Sequence, residues 1–201
     1  MTPHPMYDVF GKTISRNEAL KKMNLSEEFR YLLYFGFIRH YKGLDLLLEA
    51  FADERLKKIP VKLIVSGEFY EDSKPYFDII EKHNLHDRII LKTDFVPDNE
   101  VANYFCSADL ITLPYRDATQ SGVTQIAYHF AKPMLVTNVG GLSELVPDGK
   151  SGYVVTPNPQ AIADALVDFL ENKHPDFFTE TLNEQRKRFE WSALTETIIN
   201  T

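Results

Sequence analysis

The sequence predicts an α/β fold in which a parallel sheet lies between two layers of helices. Short apolar runs alternate with segments of helical periodicity along the body of the chain, which is the pattern of such a sheet. The chain has 201 residues, enough for one domain of this class with a full core. Its 44% hydrophobic and 25% charged residues are ordinary for a globular domain.

Six apolar runs have the length and composition of buried strands, and several of them end at glycine or proline. These predicted strands are 31–35, 61–65, 88–92, 110–113, 134–137 and 153–155. In a parallel sheet the ligand lies beyond the carboxyl ends of the strands, at the point where the strand order reverses. We therefore expect the ligand-binding residues directly after these predicted strands.

Helices are predicted between these strands from the spacing of their apolar residues. The predicted helices are 15–23, 43–52, 76–83, 98–107, 122–131, 141–146, 159–171 and a last helical region over about 177–199. Ser15 and Glu18 have the spacing of a capping box, and Asp98 is predicted to cap its helix. Residues 1–14 are predicted to be a leader or interdomain linker, and residues 15–201 the domain itself.

The overall charge limits the kinds of partner. The net charge is −7, whereas a nucleic-acid binder needs a basic surface. We therefore expect no nucleic-acid partner. Cys106 is the one cysteine, which excludes an internal disulfide and favours a reducing, cytoplasmic setting. The first residues lack the apolar region of a signal peptide, and no apolar run reaches the length of a membrane span.

Two cations follow the first predicted strand. Gly36 allows a sharp turn, and Arg39 and Lys42 stand in the loop beyond it, where two donors can clamp a diphosphate. A solvated basic loop is the alternative interpretation.

A helix start follows the fourth predicted strand. Its free backbone N–H groups and positive dipole end can bind an anion, and Gly122 admits a ligand close to the backbone. An ordinary N-cap at Ser121 explains the same residues. The pair Gly140 and Gly141, after the fifth strand, either approaches a ligand or simply makes a turn.

Two other signals are rejected. The segment 149–151 ends like a P-loop, but Glu144 stands where the first glycine is required. His83 and His86 lie at a helix end away from the expected ligand edge, so no metal site is assigned to them.

An ordered set of motifs resembles one known family. It comprises FG at 35–36, KGL at 42–44, LLEAF at 47–51, LIVSG at 63–67, FVPDNEV at 95–101, ADLITLP at 108–114, KPMLVTNVGGLSE at 132–144 and GYVV at 152–155. Together they resemble the C-terminal, donor-binding domain of GT-B glycosyltransferases of the family 4 type, which is one Rossmann-like half of a two-domain fold.

The resemblance implies a nucleotide-sugar donor and a transfer that retains the anomeric configuration. It implies that Lys42, with Arg39, contacts the diphosphate after Gly36, and that the backbone of Ser121, Gly122 and Val123 holds the distal phosphate. Phe95 and Val96 would line the base pocket. No metal or other cofactor is expected, because cations and a helix N-terminus would stabilise the leaving diphosphate.

The chain departs from the family pattern at two places. Phe37 occupies a position where many members have arginine, and Arg39 is the expected substitute. The two carboxylates of the family's E-x7-E motif fall on Ala118 and Ile126, which makes Gln120 and Gln125 the nearest polar candidates for those contacts. A non-catalytic nucleotide-sugar-binding subunit or sensor is therefore the alternative function.

The resemblance also concerns partners. GT-B enzymes have two Rossmann-like domains, so we expect an N-terminal domain as the missing partner and little transfer by this chain alone. The family allows peripheral membrane association of the full enzyme. The stretch from 189 onward, with Trp191, resembles a terminal helix that either crosses to the other domain or packs on this one.

The sequence leaves two further hypotheses about function. A GT-B relative with epimerase or phosphorylase chemistry is one of them. A flavodoxin-like signalling domain is disfavoured because Arg39 and Lys42 stand where it needs acidic residues.

Overall fold

Six strands form one parallel sheet in the computed structural model, which describes residues 9–172 and 175–187. The strands are β1 (Arg30–Phe35), β2 (Val61–Ser66), β3 (Ile89–Lys92), β4 (Leu110–Leu113), β5 (Met134–Thr137) and β6 (Gly152–Val155). Their order is β3-β2-β1-β4-β5-β6. This is the doubly wound, Rossmann-like order, so the predicted fold class is confirmed.

The strand order reverses between β1 and β4. These two strands pair directly, with Leu32 opposite Leu110 and Leu33 opposite Ile111. β1 and β4 are buried along almost their whole length, as strands covered by helices on both faces must be. In such a sheet the ligand crevice lies at the carboxyl ends of these two strands.

Nine α-helices connect and cover the strands in the described part of the chain. They are α1 (Arg16–Lys22), α2 (Leu44–Phe51), α3 (Glu54–Lys57), α4 (Lys74–Lys82), α5 (Asp98–Ser107), α6 (Gly122–His129), α7 (Leu142–Leu145), α8 (Pro159–Asn172) and α9 (Thr179–Lys187). α2 packs against α4 and α8, while α1 packs against α5. Right-handed crossovers place the helices after β1 and after β4 on opposite faces of the sheet.

One predicted cap is confirmed and the other is wrong. The Ser15 hydroxyl accepts the backbone N–H of Glu18 at 3.2 Å and caps α1 as expected. At α5 the N-cap is Pro97, in an extended conformation, and Asp98 is already the first helical residue. Its carboxylate is therefore placed in the first turn, near the positive end of the helix dipole.

Three short elements are absent from the sequence prediction. α3 and the 3-10 turns His40–Lys42 and His86–Arg88 are too short to show a helical period. The last predicted helical region begins as a 3-10 turn at Pro175–Phe178 and continues as α9. Residues 188–201, with Trp191, lie outside the described residues, as do residues 1–8.

The structure also describes Cys106, part of the predicted linker and the lengths of the helices. Cys106 is buried in the core as a free thiol, and burial raises its pKa. Of the described linker residues, Phe10 packs on the core and the carbonyl of Gly11 lies 2.8 Å from Nε2 of His129. None of the helices in the described ranges is long and apolar enough to cross a membrane.

Candidate functional site

Two adjoining cavities lie at the carboxyl ends of the strands, on either side of the point where the strand order reverses. The first, here called the aromatic pocket, has a volume of about 250 Å³. It is lined by Phe10, Phe35, Gly36, Phe37, Lys42, Ser66, Gly67, Glu68, Asp94, Phe95, Val96, Asp98, Val101 and Ile126. Its walls are therefore mainly aromatic rings, aliphatic side chains and glycine backbone, with three carboxylates among them.

The second cavity, here called the helix pocket, has a volume of about 520 Å³. It is lined by Tyr41, Lys42, Tyr115, Asp117, Ala118, Thr119, Gln120, Ser121, Gly122, Val123 and Ile126. Lys42 and Ile126 line both cavities, so the two form one crevice with Lys42 at the boundary.

The loop after β1 brings Lys42 to this boundary. Gly36 ends the strand with φ +100°, and the 3-10 turn His40–Lys42 ends at Gly43 with φ +67°. A Cβ on Gly43 would lie 2.0 Å from the carbonyl oxygen of Pro114, so only glycine lets this loop lie against the loop after β4.

The Lys42 amine is partly buried at the boundary. It lies over the ring of Tyr115, 5.7 Å from the centroid, and 3.1 Å from the position that a Cβ on Gly36 would take. Burial, assisted by the nearby charge of Arg39, lowers the pKa of Lys42 to about 8. Among the described residues the amine has no carboxylate partner. A partly desolvated cation without a counter-ion is well suited to bind an anion.

The start of α6 forms the opposite wall of the helix pocket. Ser121 is the N-cap, and its hydroxyl accepts the backbone N–H of Val123 at 3.3 Å. The same hydroxyl lies 3.3 Å from the phenol oxygen of Tyr115, whose pKa burial raises to about 12. The helix therefore directs its positive dipole end toward the same cavity as the Lys42 amine.

Most of the predicted site residues meet in this crevice. Gly36, Lys42, Phe95 and Val96 line the aromatic pocket. Gln120, Ser121, Gly122 and Val123 line the helix pocket, again with Lys42. Ala118 and Ile126, the positions of the absent carboxylates, are both buried and both line the helix pocket.

Two predicted residues lie outside both linings. Arg39 is exposed and its guanidinium stands over the ring of Tyr70, 5.0 Å from the centroid. Gln125 is half-buried, and its side-chain oxygen has no hydrogen-bond partner among the described residues.

The Gly140–Gly141 turn packs on protein backbone. The sequence allowed either this structural role or close approach to a ligand. A Cβ on Gly140 would lie 1.7 Å from the carbonyl oxygen of Ala118, and one on Gly141 would lie 2.6 Å from that of Thr119. Neither glycine is among the residues that line the aromatic pocket or the helix pocket. The turn supports the loop that forms the floor of the helix pocket.

The sequence prediction omits five aromatic residues that line the two pockets, namely Phe10, Phe35, Phe37, Tyr41 and Tyr115. Tyr41 lies in the loop after β1 and Tyr115 in the loop after β4, and their rings meet edge to face with centroids 6.2 Å apart. Tyr41 directly precedes Lys42 and Tyr115 directly follows Pro114, and this adjacency could have indicated that they belong to the site. Phe10 belongs to the predicted linker, and nothing in the local sequence connects it with the aromatic pocket.

A family model matches most of the chain. Residues 15–191 match the model described as glycosyl transferases group 1. A lipopolysaccharide 1,2-N-acetylglucosaminetransferase of Salmonella typhimurium is 32% identical over 153 residues, covering 71% of this chain and 40% of that protein.

Solved structures show the same fold. The C-terminal domain of a group 1 family glycosyl transferase, LpcC of Francisella tularensis, superposes with a TM-score of 0.75 at 20% identity, covering 90% of this chain and 93% of that one. Anabaena HepE in complex with UDP-glucose has a TM-score of 0.81 at 19% identity, covering 97% of this chain and 55% of that one. The chain spans less than half the length of the curated relatives that it matches.

Proposed function

This chain belongs to the group 1 glycosyl transferases, and we propose that it is the donor-binding half of an enzyme that moves a sugar from a nucleotide-sugar to an acceptor such as a glycan or lipid. The observation that carries the proposal is the divided crevice, in which Lys42 separates an aromatic cavity from a cavity walled by a helix N-terminus. A nucleotide-sugar has the same division, with a flat base at one end and a sugar diphosphate at the other.

The base belongs in the aromatic pocket. Phe95 is 69% exposed beside this cavity, which leaves its ring accessible for stacking. The neighbouring loop backbone at Val96 can supply the hydrogen bonds that fix the plane of the base. HepE was solved with UDP-glucose, which makes UDP the first ligand to test.

The diphosphate belongs between Lys42 and the start of α6. When the bond between the anomeric carbon and the phosphate oxygen breaks, both of its electrons remain on the diphosphate. The protonated amine of Lys42 and the backbone N–H groups after Ser121 stabilise that charge. A metal-independent transfer with retention of configuration is part of this proposal. The part assigned to Arg39 stays a prediction, because its side chain lies outside both linings.

The acceptor site belongs to a second Rossmann-like domain. The curated relatives are more than twice as long as the region they share with this chain. A catalytic site that closes between two domains needs both of them to exclude water. We therefore expect this chain alone to bind nucleotide and to transfer little sugar.

The test is calorimetric titration of the purified chain with UDP, GDP and ADP. We expect saturable binding of one of them, weakened at least roughly tenfold by Lys42→Ala, because the diphosphate loses its main charge-assisted contact. Ser121→Pro should also weaken binding, since proline in place of the N-cap removes the side-chain bond to Val123.

A matched control is available in Lys58→Ala, which removes an exposed lysine close to the start of β2, at the opposite edge of the sheet. Binding should be unchanged in that variant. A folded parent chain that binds none of the three nucleotides would contradict the proposal. Equal affinity of the parent and the Lys42→Ala chain would remove Lys42 from the site.

A second candidate function has one specific observation in its favour. Ala118 and Ile126 present apolar surface to the helix pocket at the two positions that the family resemblance assigns to the carboxylates of the E-x7-E motif. A nucleotide-sugar-binding subunit without transfer activity would tolerate that change. The two candidates separate in an assay of the protein that includes the preceding domain. Release of UDP from UDP-glucose in the presence of acceptor supports the enzyme, and tight binding without turnover supports the subunit.

A further inference from the structure

Two loops that are far apart in sequence must keep a fixed distance for the crevice to work. The loop after β1 carries Lys42, and the loop after β4 leads to the start of α6. A lysine side chain has four rotatable bonds, and its amine gains water and freedom if the turn beneath it moves. What holds the His40–Lys42 turn therefore decides where the amine lies.

Arg116, in the loop after β4, is bonded to this turn at two points and to the following helix at a third. Its backbone N–H donates to the carbonyl oxygen of Tyr41 at 2.7 Å, and its Nη1 donates to the carbonyl oxygen of His40 at 3.2 Å. Nη1 and Nη2 each donate to one carboxylate oxygen of Asp45, both at 2.6 Å. Asp45 lies in the first turn of α2, directly after the turn that holds Lys42.

The far side of the turn is held as well. The carboxylate of Glu71 accepts the backbone N–H of His40 at 2.8 Å, and the hydroxyl of Tyr76 donates to the other oxygen of that carboxylate. Glu71 fixes one end of the turn, and Arg116 donates to the carbonyl groups of His40 and Tyr41. The turn thus has little backbone freedom left.

Arg116 is not placed to bind the ligand itself. It lines neither cavity, and its charge is paired with Asp45 in a half-buried bidentate bridge. The groups that face the Lys42 amine are Arg39, whose charge acts on it, and the ring of Tyr115.

We propose that Arg116, paired with Asp45, is a positioning residue that holds the His40–Lys42 turn and hence keeps the Lys42 amine at the boundary of the two pockets. The inference deepens the proposed function and rests on it, because the binding role of Lys42 is itself a proposal. A planar guanidinium is needed here, since only its fork can hold the Asp45 carboxylate and the His40 carbonyl together.

The first test is Arg116→Lys, which keeps the charge and removes the fork. We expect affinity for UDP to fall roughly tenfold, the equivalent of one charge-assisted hydrogen bond. Arg55→Lys is the matched control, because Arg55 bridges Asp53 and Asp164 on the surface and lines neither cavity. It should leave affinity unchanged. Asp45→Asn repeats the test without altering the arginine.

The second test asks whether Arg116 acts through Lys42. In a chain that already carries Lys42→Ala, Arg116→Lys should have no further effect on UDP affinity. If the full loss persists in that background, Arg116 acts independently of the amine and the proposal is overturned.

The third test needs no nucleotide. The pKa of Lys42 can be followed by NMR of lysines labelled with ¹³C at the ε carbon. In the parent chain it is about 8 because the amine is buried, and Arg116→Lys should raise it toward the ordinary lysine value as the amine gains water. An unchanged pKa overturns the positioning role. A folded parent chain that binds no nucleotide would overturn the proposed function while leaving this measurement valid.

Discussion

The aromatic pocket and the helix pocket share one sheet edge, but they are built from different kinds of groups. The aromatic pocket is walled mainly by side chains, among them the exposed Phe95, and only in part by the backbone of Gly36 and Gly67. The helix pocket is built on backbone, with the start of α6 on one wall and the loop that packs on Gly140–Gly141 beneath it. Lys42 lines both pockets and is the only cation among the described residues that line them.

The difference shows which half of the crevice tolerates change. A wall of exposed side chains can be altered without moving the chain that carries it. A wall of backbone held by close approaches cannot, because an added atom has no space to enter. Specificity for the base should therefore be easy to change, while the anion-binding half should be sensitive to single atoms.

The largest expected effect comes from adding one methyl group beneath the helix pocket. Gly140→Ala places a Cβ 1.7 Å from the carbonyl oxygen of Ala118, at a residue with φ +49°. We expect the free energy of unfolding to fall by roughly 3 kcal/mol, from overlap and backbone strain together. Urea denaturation, followed by circular dichroism, measures this free energy of unfolding.

Gly149→Ala separates the overlap from the strain. Gly149 has φ +68°, but nothing lies within 4 Å of the Cβ that alanine would add. This variant should lose only about 1 kcal/mol, the cost of a left-handed alanine. Equal losses in the two variants would show that the backbone contact beneath the helix pocket adds nothing to stability.

The next effect concerns the boundary between the pockets and depends on pH. The amine of Lys42 has a pKa of about 8, so it is mostly charged at pH 7 and mostly neutral at pH 9. The terminal phosphate of UDP is ionised throughout this range. Affinity for UDP should therefore fall as pH rises through 8, by up to about tenfold.

Lys42→Arg is the control for this pH dependence. Arginine stays charged over the whole range, so its affinity profile should be flat wherever the parent profile declines. A parent chain whose affinity does not change between pH 7 and pH 9.5 would show that the diphosphate lies away from the amine.

The same comparison explains how far the sequence predicts this structure. The apolar runs predict all six strands, and β4 and β5 have the predicted bounds, because buried parallel strands are nearly continuous in hydrophobicity. The sequence also predicts the group of residues at the strand ends, since a parallel sheet brings those ends to one edge.

Side-chain direction in the loops is what the sequence does not predict. Arg39 and Lys42 are three residues apart and have similar chemistry. Arg39 is extended, with φ −143° and ψ 148°, while Lys42 ends a 3-10 turn, so only the second reaches the crevice. The role of the Gly140–Gly141 turn is equally hidden, because its contact partner, the loop at 118–119, lies about 20 residues earlier in the chain.

The smallest effect tests the aromatic pocket alone. Phe95→Ala removes an exposed ring, and the loss of one base-stacking contact should weaken UDP binding about fivefold, near the low end of such contacts because the ring is open to solvent. Uridine, which has no phosphates, should lose the same factor from its weaker binding. Phe177→Ala removes another exposed ring, one that lines neither pocket, and should change nothing. A loss confined to UDP would place the base elsewhere, because a ring that stacks on the base cannot distinguish ligands that differ only in their phosphates.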